Sequence, residues 1–499
     1  MKFTLPQNAF PDVELSHHQQ DALAEEADSV VKEIVAANDA FLADGATFRD
    51  SQWSHIRAKD GLHVFRQRQR SCGSSKTQGG SWSSGGSSSS GERGPIANRE
   101  TSLSSSSAFG ENSIMERMKP AGVSLMALHG IVDGNLDDCM FGCFASTDEA
   151  WKLRSSHIND RLDDARILAT IRGPTQRDPF RFLGIKWFAK EHPVVLSTIV
   201  QQRDFLIMES SGLTLDSKGQ RVGYFLMHSV TLRAIPELTD MGIVRGKMSF
   251  CYIFRQGGPG KVQVYTLGFF DSRGDMPGRV SVAIAAEAAI CCGGVVDYAY
   301  IKKLAWLMGR KGDRSGRTET ASRSCESCHK SLTKFSLSSS GSGGACRICR
   351  RATCGKCSVV KKMTVDVSNT GSVQQCSFRF CLVCLFEAKK HSAWDMALSS
   401  LDRASNTLPP ATPQSLFPPI HTPLNGRGGR SYSEYQHADT RAYQRSNLSR
   451  SGPVLASRDA RATQRPPVTD ARFQAWSSLP SEASREPKSL RGVRLRTEN

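Results

Sequence analysis

Apolar residues follow two different periods along the first 310 residues of the chain, and few apolar clusters occur after them. After a short N-terminal arm, residues 1–16, Ser16 and Gln19 have the spacing of a helix capping box. Asp44-Gly45 supplies a helix stop further along. Between these signals apolar residues recur at helical spacing: Leu23, Ala27, Val30, Ile34 and Phe41. The pattern predicts an amphipathic helix over about residues 17–43.

Strand-like segments make up most of the region that follows this helix. A hairpin is predicted across residues 53–68, with Lys59-Asp60-Gly61 as its turn. A helix capped by Thr147 is predicted over residues 148–162. Further β segments are predicted at residues 123–132, 138–144, 183–189, 205–210, 224–232, 244–254 and 262–270. Short turns between neighbouring segments favour an antiparallel sheet.

A long helix is predicted over residues 280–308. Its apolar run, residues 282–296, is interrupted by Glu287, Gly293 and Gly294. A membrane-spanning helix needs about twenty consecutive apolar residues. We therefore expect this helix to pack on the sheet and not to cross a membrane.

The predicted order is an N-terminal helix, an antiparallel sheet and a long C-terminal helix, which is the order of an α+β helix-grip fold. Residues 17–310 resemble START lipid-transfer domains through this order and through local phrases: Trp53, Lys59-Asp60-Gly61-Leu62-His63-Val64, Arg203-Asp204-Phe205 and Gly268-Phe269-Phe270-Asp271. The resemblance implies an elongated cavity beneath the last helix and an apolar lipid ligand within it.

The sequence does not decide which face of the strand predicted at residues 244–254 points into the domain. Side chains alternate between the two faces of a strand, so the inward set is one of two. They are Phe250, Tyr252 and Phe254, or Cys251 and Ile253. Either set would line a cavity or simply fill a core.

Composition changes sharply at two places. Residues 71–113 are dominated by Ser and Gly, and residues 393–499 are rich in Arg, Ser and Pro. Such segments bury too little apolar surface to offset the entropy of ordering. We expect a disordered insertion and a disordered tail.

Catalytic signals are weak in this sequence. His63, His129, His157, His192 and His228 are scattered, and none has a local context that activates a nucleophile. We expect a non-enzymatic protein. The chain carries a formal net charge of +17, and residues 321–391 contain twelve Lys or Arg against three Asp or Glu, a local charge that favours an anionic partner. No aromatic stacking surface accompanies the charge, so nucleic acid is not the expected partner.

Eight of the fifteen cysteines form four CxxC pairs in the C-terminal half: Cys325/Cys328, Cys346/Cys349, Cys354/Cys357 and Cys381/Cys384. Two residues between thiols allow both sulfurs to bind one ion, and zinc takes four soft ligands in a tetrahedron. The spacing predicts two structural zinc ions. The other cysteines are expected to be free thiols: Cys72, Cys139, Cys143, Cys251, Cys291, Cys292 and Cys376.

A disulfide framework is the alternative, and it would need an oxidising compartment. The first sixteen residues contain no apolar run behind a basic start, so we expect a cytoplasmic protein with reduced thiols.

Spacing also predicts how the pairs share the two ions. Cys349 and Cys354 are separated by only four residues, so the second and third pairs cannot easily hold one ion together. An interleaved cross-brace results. Zinc 1 is bound by Cys325, Cys328, Cys354 and Cys357, and zinc 2 by Cys346, Cys349, Cys381 and Cys384.

Residues 319–392 resemble FYVE-type zinc fingers. The resemblance lies in the pair spacing and in Phe335-Ser336, Cys346-Arg347-x-Cys349, Cys354-x-Lys356-Cys357-Ser358 and Arg379 before Cys381. It implies binding of a phosphoinositide headgroup, typically phosphatidylinositol 3-phosphate, by a protein that is peripheral on endosomal membrane. The candidate headgroup residues are Arg347, Arg350, Arg351, Lys361, Lys362 and Arg379.

This sequence departs from the FYVE pattern at two motifs. The family's basic Arg-(Arg/Lys)-His-His-Cys-Arg run is replaced by Ser342-Gly343-Gly344-Ala345-Cys346-Arg347, and its Trp-x-x-Asp element is missing. The identity of the lipid therefore stays open. The alternative is a protein-interaction module, scaffold-like or RING-like, whose charge attracts an acidic protein; RING fingers usually include a His ligand.

Overall fold

The computed structural model describes residues 3–6, 8–68, 113–158, 160–190, 200–312, 322–332, 344–367 and 373–406. The chain divides into two compact units, Met1–His421 and Thr422–Asn499, and every described residue belongs to the first. The predicted insertion, apart from Ser113, and the predicted tail after residue 406 lie outside the described residues.

A ten-stranded sheet forms the centre of the first unit. Its strands are β1 (Trp53–Lys59), β2 (Leu62–Gln67), β3 (Met126–Asp133), β4 (Leu162–Arg172), β5 (Phe182–Lys190), β6 (Arg203–Leu215), β7 (Arg221–Ser229), β8 (Val244–Arg245), β9 (Lys247–Gly258) and β10 (Lys261–Asp271). The order is β1-β2-β3-β10-β9-β7-β6-β5-β4, with β8 beside β6. Only the short β8–β6 pair is parallel among these described strands.

Helices cover both faces of this sheet. They are α1 (His17–Ala43), α2 (Ile114–Met118), α3 (Leu136–Cys143), α4 (Asp148–Ile158), α5 (Gly278–Ile290) and α6 (Val295–Gly312). We call α1–α6 with β1–β10 the helix-grip domain. The Cys-rich module, which we call the finger, contains β11 (Gly344–Ala345), β12 (Ala352–Thr353), β13 (Ser358–Val367), β14 (Val373–Cys381) and α7 (Leu382–Lys390). A last helix, α8 (Ala393–Asn406), follows.

Helix α1 forms where the sequence predicts it. The Ser16 hydroxyl accepts from the Gln19 amide at 3.3 Å, and the Gln19 side chain accepts from the Ser16 amide at 2.9 Å. This capping box satisfies amide groups that a helix start leaves without partners. Ala27, Val30 and Ile34 are buried against one face of the sheet.

Alternate residues of β9 belong to two different apolar clusters, one on each face of the sheet. Cys251 and Ile253 lie in the cluster beneath α1. The alternate set, Phe250, Tyr252 and Phe254, lies in the cluster that contains residues of α3, α5 and α6. The aromatic set is therefore the one beneath the C-terminal helices.

Two predictions between residues 136 and 172 are wrong. The sequence predicts a strand at residues 138–144, but residues 138–143 belong to helix α3 and Phe144 is its C-cap. The Asn135 side chain starts this helix by accepting from the Asp138 amide at 2.8 Å. The helix predicted over residues 148–162 ends at Ile158, and β4 begins at Leu162. The first half of β4 is polar and carries no strand pattern in the sequence. Tertiary contacts hold it, including that of Asp164, which accepts from the Leu5 amide.

The long C-terminal helix is interrupted where its glycines occur, by a 3-10 turn at Cys291–Gly294. Helix α6 then packs closely on α3, since a Cβ at Gly142 would lie 1.9 Å from the Val295 oxygen. By length and composition Gly278–Arg310 could cross a membrane, and 39% of its most apolar window is buried in this structure. Core helices of globular proteins share these properties.

The predicted fold class is confirmed: an antiparallel sheet is held between an N-terminal helix and a long C-terminal helical segment, and a small module with two cysteine clusters follows. One boundary is corrected. Residues 393–406, predicted as the start of a disordered tail, form α8, whose Ala393, Met396 and Ala397 are buried in the helix-grip core.

Candidate functional sites

The eight paired thiols lie in two groups of four, in the interleaved arrangement that the spacing predicts. Within each group all sulfurs lie within 4.8 Å of one another. The Cys328 and Cys354 sulfurs are 3.7 Å apart, as are those of Cys349 and Cys381. A tetrahedron with Zn–S bonds of about 2.3 Å has sulfurs about 3.8 Å apart. The donor sets therefore fit two zinc ions.

Tight turns position the first thiol pair of each cluster. His329 and Arg350, which directly follow Cys328 and Cys349, adopt positive φ of 58° and 61°. The His329 amide donates to the Cys325 oxygen at 2.7 Å, and the Arg350 amide donates to the Cys346 oxygen at 2.9 Å. These equivalent turns aim both sulfurs of a pair to one side.

The environment of Cys325 favours the thiolate. Burial would raise the pKa of this thiol, but backbone N–H groups of Cys354, Ser327 and Cys328 outweigh burial and lower the pKa to about 6. Thiolates are the form that binds zinc, so this shift suits Cys325 to the role of a zinc ligand.

The predicted headgroup residues do not all share one surface. The Arg347 amide donates to the Arg379 oxygen at 2.8 Å, which brings these two residues together. Lys361 instead lies 4.0 Å from Asp297 on α6. Arg351 and Lys362 are exposed, and Arg350 occupies the turn beside Cys349. Lipid contact by any of them stays a prediction.

The finger packs directly on α6, which the sequence analysis did not predict. Met363, Phe380 and Ala388 of the finger share one apolar cluster with Leu304 and Leu307 of α6. Three ligands of zinc 2 belong to this cluster: Cys346, Cys381 and Cys384. None of the zinc 1 ligands does so within the described residues.

Polar contacts reinforce this junction. The Ser156 and Thr364 hydroxyls are 2.8 Å apart, and the Thr364 amide donates to His157 Nε2 at 3.3 Å. The His157 ring stacks on Tyr298 at 5.2 Å, and burial lowers the pKa of His157 to about 4. The histidine is therefore a neutral acceptor at neutral pH.

A group of charged side chains lies inside the helix-grip domain, in a place that the sequence analysis did not single out. Glu209 of β6 is 3.1 Å from Arg154 of α4 and 2.7 Å from Lys186 of β5. Burial lowers the pKa of Lys186 to about 8, even though Glu209 partly offsets it. The signal in the sequence was a pair of charged residues, Lys186 and Glu209, within otherwise apolar strands.

A third basic group reaches the same region from α6. The Lys302 ammonium donates to the Phe141 oxygen at 2.7 Å, and burial together with the Arg154 charge lowers its pKa to about 7. Its neighbour Lys303, in contrast, pairs with Asp138 at 2.5 Å. Among the described residues, Glu209 is the one carboxylate in direct contact with Arg154, Lys186 or Lys302, and Arg154 Nε has no hydrogen-bond partner. Counted by direct contact, three basic side chains therefore have one carboxylate among them here.

The surroundings of this cluster are aromatic. Arg154 lies 5.1 Å from the centre of the Phe225 ring, and Lys186 lies 4.7 Å from the Trp151 ring. Phe225, Tyr252 and Phe254 continue the same face of the sheet. We call Arg154, Lys186, Glu209 and Lys302 the interior polar cluster.

The chain is similar to several solved structures, two of which are described as a lipid transfer protein or domain. Human StAR-related lipid transfer protein 5 has 13% identity and a TM-score of 0.34, with 56% of this chain and 97% of that chain covered. Human STARD10 has 10% identity and a TM-score of 0.31, with 61% and 87% covered. The human StarD13 lipid transfer and protein localization domain has 12% identity and a TM-score of 0.29, with 57% and 98% covered.

No protein-family model and no curated protein matches the sequence. Because the TM-scores above are low, the assignment of the helix-grip architecture rests on the strand order and helix positions of this chain.

Proposed function

We propose that the helix-grip domain binds a lipid with an acidic polar group, and that the finger, with two bound zinc ions, docks the protein on anionic membrane. The protein acts without catalysis and works at the cytoplasmic face of phosphoinositide-containing membranes. The observation that carries the lipid half is the excess positive charge of the interior polar cluster between aromatic walls.

Electrostatics supports an acidic ligand at this cluster. Removing an ion from water costs several kcal/mol, and an attraction within the protein repays this only if the charges are balanced. Arg154 and Lys186 share one carboxylate, and Lys302 donates to backbone oxygens. A carboxylate or phosphate would balance the remaining charge. The acyl part would lie against Phe225, Tyr252 and Phe254, beneath α5 and α6.

Native mass spectrometry of the purified chain, followed by lipid extraction, tests the lipid half. We expect an acidic lipid in the folded protein and its loss in the Lys302→Met variant. Lys218→Met removes an exposed lysine and is the matched control. Recovery of neutral lipids alone, or of no lipid from the wild type, would contradict this half.

The charge of the finger supports the docking half. Residues 321–391 contain twelve Lys or Arg against three Asp or Glu. Each basic residue near an anionic bilayer contributes about 1 kcal/mol of attraction. Vesicle flotation with and without phosphatidylinositol 3-phosphate tests this half. Lack of lipid-dependent flotation at moderate salt would exclude docking, and autoubiquitination in vitro would favour a ubiquitin-ligase module instead.

A further inference from the structure

Helix α7 has one buried side and one exposed side. Cys384 and Ala388 face the apolar cluster shared with α6. The opposite stripe runs at i, i+3, i+4 and i+7: Val383, Phe386, Glu387 and Lys390. Together with His391 these four residues line a shallow groove on the surface of the finger. We call it the α7 groove.

The apolar exposure of this groove is unusual for the molecule. Val383 is 60% exposed and Phe386 is 56% exposed. In the described part of the chain seven large apolar residues are exposed in this way, and four of them belong to the finger: Val360, Val373, Val383 and Phe386. Of these four, Val383 and Phe386 lie one helical turn apart in the same groove. Single exposed apolar residues need no explanation, whereas an adjacent pair at a groove does.

Basic and aromatic groups surround the apolar pair. Lys390 lines the groove and Lys389 precedes it, and both are exposed. His391 packs edge-on against Trp306 at 5.0 Å, and the Arg310 guanidinium lies 4.6 Å from the Trp306 ring. Glu387 is the one acidic residue that lines the groove. The surroundings of Val383 and Phe386 are therefore mainly cationic.

We propose that the α7 groove is the part of the finger that enters an anionic lipid bilayer. Apolar side chains beside two lysines, with Trp306 and Arg310 behind His391, match the layers of a membrane surface, where apolar groups reach the acyl chains and basic groups meet the phosphates. This inference rests on the proposed docking function and assigns that function to Val383, Phe386 and Lys390.

The size of the groove favours a bilayer over a protein partner. A stable protein interface takes about 20 to 30 residues from each side. The groove offers five lining residues and two large apolar side chains. A bilayer accepts such a small contact, because each inserted side chain and each nearby cation adds to binding independently.

Flotation of the zinc-loaded full chain with phosphatidylcholine vesicles, with and without phosphatidylserine, tests the inference. The double variant Val383→Ser, Phe386→Ser should bind anionic vesicles about tenfold more weakly than the wild type, since it removes the apolar area that the groove would bury in the bilayer. Lys390→Glu should weaken binding mainly at low salt. The matched control is Leu215→Ser, which removes a residue that is 63% exposed on the helix-grip domain and should leave binding unchanged.

A second measurement does not depend on lost binding. Phe386→Trp places a fluorophore in the groove, and lipids brominated on the acyl chain should quench its added emission. Flotation without quenching, or equal flotation of the double variant and the wild type, would overturn the α7 inference while docking stands. A wild type that does not float on anionic vesicles overturns docking and this inference together.

Discussion

Glu209 is the residue on which the interior polar cluster depends, because it contacts both Arg154 and Lys186 while only 1% of it is exposed. Its carboxylate would be expensive to bury alone, and so would either cation. Glu209 therefore holds both cations in place, and they in turn balance its charge.

Glu209→Gln should lower the free energy of unfolding by about 3 kcal/mol, because it leaves two buried cations without a counter-charge. Denaturant unfolding measures this loss. Glu237→Gln breaks an exposed pair with Arg273 and should change the free energy of unfolding by less than about 1 kcal/mol. Equal effects of the two substitutions would show that Glu209 does not balance the cluster.

Lys302 should make the free energy of unfolding increase with pH. Its pKa falls from 10.5 to about 7 on folding, so the unfolded chain binds more protons between these values. Stability contributed by this residue therefore rises as the pH increases above about 7. Unfolding measured from pH 7 to pH 9 should show a smaller upward slope for Lys302→Met than for the wild type. An unchanged slope would show that Lys302 does not cause the pH dependence of the unfolding free energy.

Among the secondary-structure elements, α6 connects the two modules. It contributes Leu304 and Leu307 to the cluster that includes three zinc 2 ligands, whereas Cys328 of zinc 1 is exposed. Loss of metal from the zinc 2 cluster should therefore affect the stability of the helix-grip domain more than loss of metal from the zinc 1 cluster.

Cys384→Ser should lower the thermal stability of the helix-grip domain, because loss of zinc 2 releases the apolar cluster from α6. A structural zinc contributes about 10 kcal/mol to folding of its own module. Cys328→Ser, at zinc 1, should lose one zinc ion with little change in the melting of the sheet. Near-ultraviolet circular dichroism and zinc content measure both effects. The reverse order of stabilities would exclude this coupling.

Helix α8 closes part of the core. The Trp394 ring packs edge-on against Phe180 at 5.7 Å, and Met396 and Ala397 are buried among core residues. Trp394, Ala397 and Leu401 recur at helical spacing in the sequence, but the prediction of a disordered tail over residues 393–499 rests on Arg, Ser and Pro content alone.

A chain ending at residue 392 should melt at a lower temperature than one ending at residue 406, because it lacks the buried side chains of α8. The chain ending at residue 406 should melt like the full chain, because the sequence of residues 407–499 contains few clustered apolar residues. Calorimetry compares the three. Equal melting of the two truncated chains would show that α8 adds nothing to the core.

At the scale of the whole molecule, local signals predicted well and long-range contacts did not. The capping box of α1 and the CxxC pairs lie within a few residues, so their spacing alone predicted the geometry. β4 and α8 depend on partners far along the chain, such as Leu5 and Phe180. The interior polar cluster joins residues of α4, β5, β6 and α6. Lys186 and Glu209 stand out within apolar strands, but no local pattern shows that they meet Arg154 and Lys302.

The shared cluster between the finger and α6 also bears on how the chain could have evolved. Zinc fingers are often treated as cassettes that recombination moves between unrelated proteins. Here a transplanted finger would leave Met363, Phe380 and Ala388 facing water, and the donor protein would expose Leu304 and Leu307. The two modules should therefore be inherited together, and substitutions in the finger should be accompanied by compensating substitutions in α6.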